Sequence, residues 1–383
     1  MLSKLLHDER GMSFVYVGLG FMGLLAATTL AIDVGFFMTA RSQAQNAADA
    51  GALAGAVGLV FDSYTDRSPS GPAVQSALAA ARGNSVMAQT VSVDAPDVTF
   101  PNDPQGLPNW VRVEVFRTSS RSNALTTVMG GFFGVPKADV IADATAEAAP
   151  ANAATCMKPW AVPDKWLEKQ DPPWDDEDTF DLYDKKNKPL NPQDVYVPAA
   201  DPQNYTGYKS DPAGPDYGRE ILLKAGNPNL AISASHFFPI ALPPNTGASW
   251  YEENIPGCWP GVMEMGNEIP VEPGNMTGPT VQGVEDLIAK DPGAQWDQAT
   301  RRVISSFHPS PRIIVIPVFD PAVYEESRQH GRQTIQVANL VGFFIEDLDG
   351  NSVKGRIVPM TGLIRGNGPA PGGAFLRAIR LVQ

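Results

Sequence analysis

The hydrophobic pattern along the chain changes character three times. Residues 11–32, "GMSFVYVGLGFMGLLAATTLAI", lie between Arg10 and Asp33 without a charge. A helix of that length spans about 30 Å, the thickness of a bilayer's hydrocarbon core. A buried core helix of this length would normally show a polar face, and a cleavable signal peptide would use a shorter apolar region. Thr29-Leu30-Ala31 is nonetheless a usable small-x-small cleavage site. The pattern therefore predicts a retained membrane anchor, with those two as the alternatives. Lys4 and Arg10 precede the span, interleaved with Asp8 and Glu9. Weighted on Lys and Arg, that balance places the N-terminus in the cytoplasm and the remaining chain outside.

Small residues Gly23, Ala27, Ala31 and Gly35 recur every four positions in the span, a ridge that would let another helix approach closely in lipid or simply reflect membrane-helix composition. Beyond it, Ala40, Ala44, Ala47, Gly51, Ala54 and Gly58 step by 4, 3, 4, 3 and 4, close to helical period. Ser42, Gln45, Asn46 and Asp49 form a polar side. Such a stripe suits tight packing on a neighbouring helix or chain. One helix from Met12 to Phe61 would be about 75 Å long, a rod leaving the membrane. Asp33 sits near the outer end of the apolar run: either a functional ionisable group paired with a neighbouring subunit, or a carboxylate hydrated at headgroup level.

Residues 62–150 read differently. "FDSYTDRSPSGP" breaks the helix, residues 73–90 predict a second helix, and "VSVD", "WVRVEVF" and "DVIADATAEA" alternate as strands with Val111, Val113 and Val115 on one face. "ALTTVMGGFFG" predicts a short helix between the last two. A helix on a small antiparallel sheet follows. Residues 151–383 carry 27 of the 35 prolines and six tryptophans. Short runs such as "REILLK", "HFFPIAL", "RIIVIPVFD", "TIQVANLVGFFIEDL" and "SVKGRIVPM" alternate with Gly/Pro turns, and only "TVQGVEDLIAKD" has helical spacing. Prolines in and beside the strands predict edges and bulges. The expected class is α+β, in three parts: anchor and projecting helix 1–61, small α+β segment 62–150, and β-rich extracytoplasmic domain 151–383.

Composition narrows the function. A net charge of −13 argues against a nucleic-acid partner. Cys156 and Cys258 would be two unrelated thiols in cytosol but a disulfide in an exported domain, closing a loop of about a hundred residues, worth up to about 4–5 kcal/mol. The acidic run "WDDEDTFDLYD", residues 174–184, could be a calcium loop, though it lacks the mid-loop glycine and terminal glutamate of an EF-hand and reads more simply as a solvated turn. Asp66-Arg67-Ser68-Pro69-Ser70 fits a metal motif that requires a buried strand before it, where an alanine-rich helix is predicted instead; a Ser/Pro turn is the plainer account. The four histidines show no ligand spacing, and no nucleophile elbow, P-loop or dinucleotide fingerprint is present. The expectation is a protein without enzymatic activity, cofactor or metal.

The N-terminal Arg-Gly, the apolar span and "AIDVGFFMTARSQAQNAADAGALAGA" together resemble the N-terminal module of TadG-like proteins of the tight-adherence (Flp) pilus assembly system. The matching features fall on Asp33, Val34 and Gly35 and on residues 45–56, which include Gln45, Asn46 and Asp49; Gly51 stands where the family often has Ala. Parts of residues 220–360 resemble extracytoplasmic segments of the same family. If Gly11 were a pilin-type cleavage glycine, the glutamate expected five residues later would be Tyr16, so pilin processing is not implied. The resemblance implies a single-pass inner-membrane component with a periplasmic domain. Its partners would be other pilus-assembly membrane proteins or pilin-like subunits, with self-association through the small-residue faces. An anchored or exported adhesin or binding module, with or without calcium dependence, and an envelope glycan hydrolase using paired carboxylates are the alternatives.

Overall fold

The computed structural model describes residues 12–382 except 64, 105, 185, 187, 202, 212–213, 228–229, 330–333 and 367–372. Lys4, Asp8, Glu9, Arg10, Gly11, His7 and His330 lie outside the described residues, and with them the charge balance that sets orientation. The fold is α+β. A single 50-residue helix, α1 (Met12–Phe61), opens it, and the chain divides into two compact units. One contains Arg67–Glu147 with the chain up to Ala56 and Arg380–Gln383; the other contains Ala148–Ile379 with Val57–Asp66.

In the first unit, Pro72 starts helix α2 (Pro72–Gly83), where its missing N–H costs no helical bond. The helix stops at Gly83, short of the expected residue 90. Asn84 is extended, and residues 85–90 form a tight hairpin with Met87 and Ala88 in the left-handed region. Two side chains hold that turn against the helical alternative. Gln43 Oε1 accepts the Met87 N–H at 2.8 Å, and buried Arg117 donates to the Val86 carbonyl and to Gln89 Oε1. The sheet places β2 (Trp110–Arg117) between β1 (Val98–Thr99) and β5 (Val140–Pro150), all antiparallel. Val111, Val113 and Val115 are buried on one face of β2, as their alternation predicts. "VSVD" contributes only a bridge, Ser92 to Phe116. The expected helix at 124–134 is instead the tip of a hairpin, β3 (Leu125–Thr126) and β4 (Lys137–Ala138), with a 3₁₀ turn at Gly130–Phe133. Two adjacent glycines and Gly134 at φ 83° favour a tight turn over α-helix here.

The second unit is built on β6 (Trp160–Pro163), β7 (Glu220–Ala225), β8 (His236–Pro239), β9 (Glu268–Pro270), β10 (Ile313–Phe319), β11 (Thr334–Asp349) and β12 (Ser352–Val358). Their order is β9-β11-β10-β6-β8-β7-β12, and β12 pairs again with β11, so six strands close a ring and only β9 is appended. Closure removes the free edges such a proline-rich sequence would otherwise expose. The β11–β12 register shifts between Ile345 and Asp347, and the β10–β11 register shifts between Val318 and Phe319, next to Pro317. The predicted bulge thus falls beside the proline that lacks a ladder donor. Helices at Thr277–Ala289 and Pro321–Gln329 pack on β11. The sequence pattern does not announce the second of these or the short helix Ala248–Glu253, which are only nine and six residues long. Inside, Phe238, Phe319 and Tyr324 stack with ring centroids 5.2–5.6 Å apart.

Candidate functional site

The first half of α1 inverts the usual rule of burial. None of residues 12–32 is buried, and Phe14, Val17, Met22 and Leu30 are each about two-thirds exposed or more. The hydroxyls of Thr28 and Thr29 donate to the carbonyls of Leu24 and Leu25 at 2.8 and 3.0 Å, and Thr39 donates to Gly35 at 2.9 Å, so each is satisfied within the helix. That arrangement suits a solvent with no hydrogen bonds to offer. The ridge Gly23, Ala27, Ala31 and Gly35 is exposed throughout; a Cβ added at Gly23 or Gly35 would meet nothing within 4 Å.

Asp33 is the exception in this stretch: it is buried. Its Oδ1 accepts the backbone N–H of Val128 at 2.8 Å, and both carboxylate oxygens accept that of Met129 at 3.2 Å. These are charge-assisted bonds to donors at the start of the 3₁₀ turn Gly130–Phe133, where helical N–H groups have no partner of their own. A side chain at the end of an apolar run thereby caps a turn about a hundred residues downstream. Sequence spacing could not show this, because neither partner of the tether is a side chain with chemistry of its own.

The stripe beyond Asp33 is buried, and its neighbour lies within the same chain. Ala40, Ala44, Ala47, Ala48, Ala52 and Ala56 are fully or almost fully covered. A Cβ added at Gly55 would come to 2.7 Å from Val111 Cγ1 and 3.3 Å from Ala77 Cβ; at Gly51 it would meet Ala81 Cβ and Val113 Cγ1 at 3.1 Å. The helix therefore lies directly on α2 and β2. Of the two alternatives for the stripe, a neighbouring helix or another chain, the part from 40 to 56 takes the first, within the same chain. Gln45 donates to Asp49 Oδ1 at 2.9 Å and to the Asp143 carbonyl at 3.0 Å, tying the polar side of the helix to β5. Asn46 is exposed.

In the second unit, Cys156 and Cys258 form a disulfide across 102 positions. It lies beside the antiparallel pairing of residues 153–155 with 262–264, and Cys156 N–H donates to the Trp259 carbonyl at 3.2 Å. Lys158, two residues on, is buried, donates to the Gly257 carbonyl, and has its pKa lowered to about 8 by burial and by the charge of Lys290. It lines a cavity of about 520 Å³ together with Cys156, Lys290 and Ser310. The acids of residues 174–184 are spent locally. Asp176 pairs with Arg219 at 2.9 Å, Glu177 with Lys224 at 3.0 Å, and Asp175, Asp178 and Asp184 accept backbone N–H groups of their own turns. Among the described residues no three Asp, Glu, His or Cys side chains gather as metal ligands. Asp66-Arg67-Ser68-Pro69-Ser70 follows helix α1 and leads through a turn into α2, with Arg67 donating to the Pro108 carbonyl at 2.8 Å.

Among the buried carboxylates that the sequence does not announce, Asp164 has the most complete set of partners. Asp164, fully buried, accepts the hydroxyls of Tyr196 (2.8 Å) and Tyr205 (2.7 Å) and the N–H groups of Tyr208 (3.0 Å) and Lys165 (2.9 Å). Burial pushes its carboxyl up to about 6, against the pull of those donors. Asn339 on β11 donates to Tyr205, so the cluster fastens the irregular segment between β6 and β7 to the barrel wall. Every acceptor site of Asp164 is occupied by structure, which marks it as a clamp.

No curated protein and no solved structure matches the chain. A match does exist to the family described as "Putative Flp pilus-assembly TadE/G-like", and it covers residues 11–58, the span, Asp33 and the buried stripe. Residues 11–58 of this chain are thus similar to a TadE/G-like pilus-assembly domain, and this similarity supports involvement in pilus assembly.

Proposed function

We propose that the protein is a non-enzymatic, single-pass membrane component of tight-adherence (Flp) pilus assembly, held in the bacterial inner membrane with its N-terminus cytoplasmic and both folded units on the periplasmic side. The observation that carries this reading is the coincidence of two things on one helix. The family match begins where the exposed, uncharged span begins and ends where the buried small-residue stripe ends. Exposed Phe, Leu and Met side chains over some 30 Å of helix are costly in water and neutral in lipid. The Cys156–Cys258 disulfide favours an oxidising compartment over cytosol for the second unit. Action through protein contacts follows: the exposed Gly23–Gly35 ridge would meet other membrane helices, and the folded units would meet pilin-like subunits or other assembly proteins outside.

Fractionation of the native bacterium, with thiol labelling before and after reduction, tests the placement. Full-length protein in the inner-membrane fraction, with both cysteines blocked until reduction, is the expected result. Deleting the gene should abolish surface pili, and restoring it should return them. Soluble protein with two free thiols, or normal piliation without it, would remove the assignment.

A further inference from the structure

The hairpin tip between β3 and β4 has an apolar surface that nothing in the first unit covers. Residues 122–136, between Arg121 and Lys137, hold no charged side chain. Phe132 is 86% exposed, and Phe133, Val135 and Val128 are about half exposed or more. Exposed phenylalanine at a loop tip is unusual for a surface facing water. Three further features bear on what it faces.

The first is its level. Asp33 holds the tip by the Val128 and Met129 N–H groups, and Asp33 is the residue at which the uncharged run of α1 ends. Counting 21 residues from Met12, the run is about 30 Å long, so Asp33 marks the outer boundary of the hydrocarbon. The tip is fastened at that boundary. The second is its backbone. Thr127 N–H donates to Pro136 (3.1 Å), Phe132 to Met129 (3.0 Å) and Val135 to Gly130 (2.9 Å), while the Thr127 hydroxyl takes the Val135 carbonyl at 2.8 Å. With Asp33 accepting two more, much of the tip's backbone is already paired, which lowers the cost of entering a bilayer surface. The third is its compactness. A Cβ at Gly130 would fall 2.6 Å from the Val135 carbonyl, so the turn closes tightly beneath the two phenylalanines.

We propose that the 127–136 tip is a second membrane contact, dipping Phe132 and Phe133 into the outer leaflet of the bilayer that α1 spans, with Asp33 as the tether that sets its depth. The proposal rests on the anchored reading given above. Its consequence is orientational. A single helix leaves the attached unit free to swivel, whereas a helix and a tip fastened to it give that unit a fixed face towards the membrane.

The disulfide leaves no other thiol in the chain, so Phe132→Cys can be labelled alone with an environment-sensitive fluorophore. The full-length protein would be reconstituted in phosphatidylcholine–phosphatidylglycerol vesicles, with Phe14→Cys as a label inside the span and Asn46→Cys as one outside it. Severalfold stronger quenching of the Phe132 label by acyl-chain nitroxide lipids than of the Asn46 label, with weak quenching by iodide, is expected. Asp33→Ala should return the Phe132 label to iodide while the Phe14 label stays in lipid. If Phe14 is quenched by lipid but Phe132 is as open to iodide as Asn46, the tip proposal fails and the anchor stands. If neither label meets lipid, the anchored reading has failed and takes the proposal with it. A Phe132 label shielded from iodide and lipid alike would mean that protein covers the tip, and would also overturn the proposal.

Discussion

Helix α1 is one element with two kinds of surroundings. From Met12 to about Met38 its large side chains are exposed and its glycines meet nothing; from Ala40 to Ala56 its small side chains are buried and its glycines touch the neighbouring helix and strand. Hydropathy alone would rank the first half as the better core. The comparison shows that side-chain size, not hydrophobicity, records what a helix packs against. Close contact with α2 and β2 requires Ala and Gly, while lipid, which adapts to any contour, accepts Phe, Leu and Met. Asp33 marks the change, since it is where the chain first folds back to touch the helix.

The two halves should answer oppositely to the same chemistry, and charge gives the largest contrast. Arginine at both Leu24 and Leu25 should cost about 6 kcal/mol of insertion free energy, at about 3 kcal/mol for each charge near the middle of a span. The variant should leave the membrane fraction on carbonate extraction. Paired arginines at Gln45 and Asn46, on the polar side of the second half, should leave extraction unchanged. Full retention of the Leu24→Arg/Leu25→Arg variant would mean that the first half does not lie in lipid.

Size gives the reverse contrast. Gly55→Leu forces a branched side chain into the place where even a Cβ lies 2.7 Å from Val111 Cγ1. Overpacking of this kind costs about 3 kcal/mol, at the upper end for well-packed sites. Hydrogen exchange of peptides covering residues 40–56 and 72–83 should speed up accordingly, because their protection reports local opening. Gly23→Leu should leave that exchange untouched. Equal protection in the Gly55→Leu protein would show that α1 and α2 are not in close contact there.

Much of this division was legible in the sequence, and the failures have a common cause. The span, the stripe period, the face of Val111, Val113 and Val115, and the cysteine pair each repeat or pair a signal that is local or chemically distinctive. Local spacing favours helix at residues 85–90, but the hairpin there is fixed by Gln43 and Arg117, which lie far away in sequence and hydrogen-bond to backbone. The Asp33 tether and the Asp164 clamp were missed for the same reason: their partners are amides and tyrosine hydroxyls that no motif announces. Closure of the barrel was hidden too, since it depends on which strands share an edge. The tip at Phe132 leaves one usable trace, the absence of charge between Arg121 and Lys137, a pattern that a short buried helix would share.

The smallest expected effect is the most discriminating, because at Gly51 two opposed terms nearly cancel. Alanine in place of glycine inside a helix is worth about 1 kcal/mol through backbone entropy. Against it, the new Cβ would lie 3.1 Å from Ala81 Cβ and Val113 Cγ1 and 3.2 Å from the Ala77 carbonyl, close enough that neighbours must give by a few tenths of an ångström. The carbonyl belongs to helix backbone and cannot turn aside, so crowding should slightly outweigh propensity, and Gly51→Ala should destabilise by less than about 1 kcal/mol. Val113→Ala is destabilising alone but removes one of the three close contacts. In that background Gly51→Ala should become neutral or stabilising, a positive coupling that a double-mutant cycle read by hydrogen exchange would resolve. If Gly51→Ala stabilises equally in both backgrounds, the contact is looser than the distances state. The stripe would then be a matter of helix propensity, and the sharp difference between the two halves of α1 would lose its packing explanation.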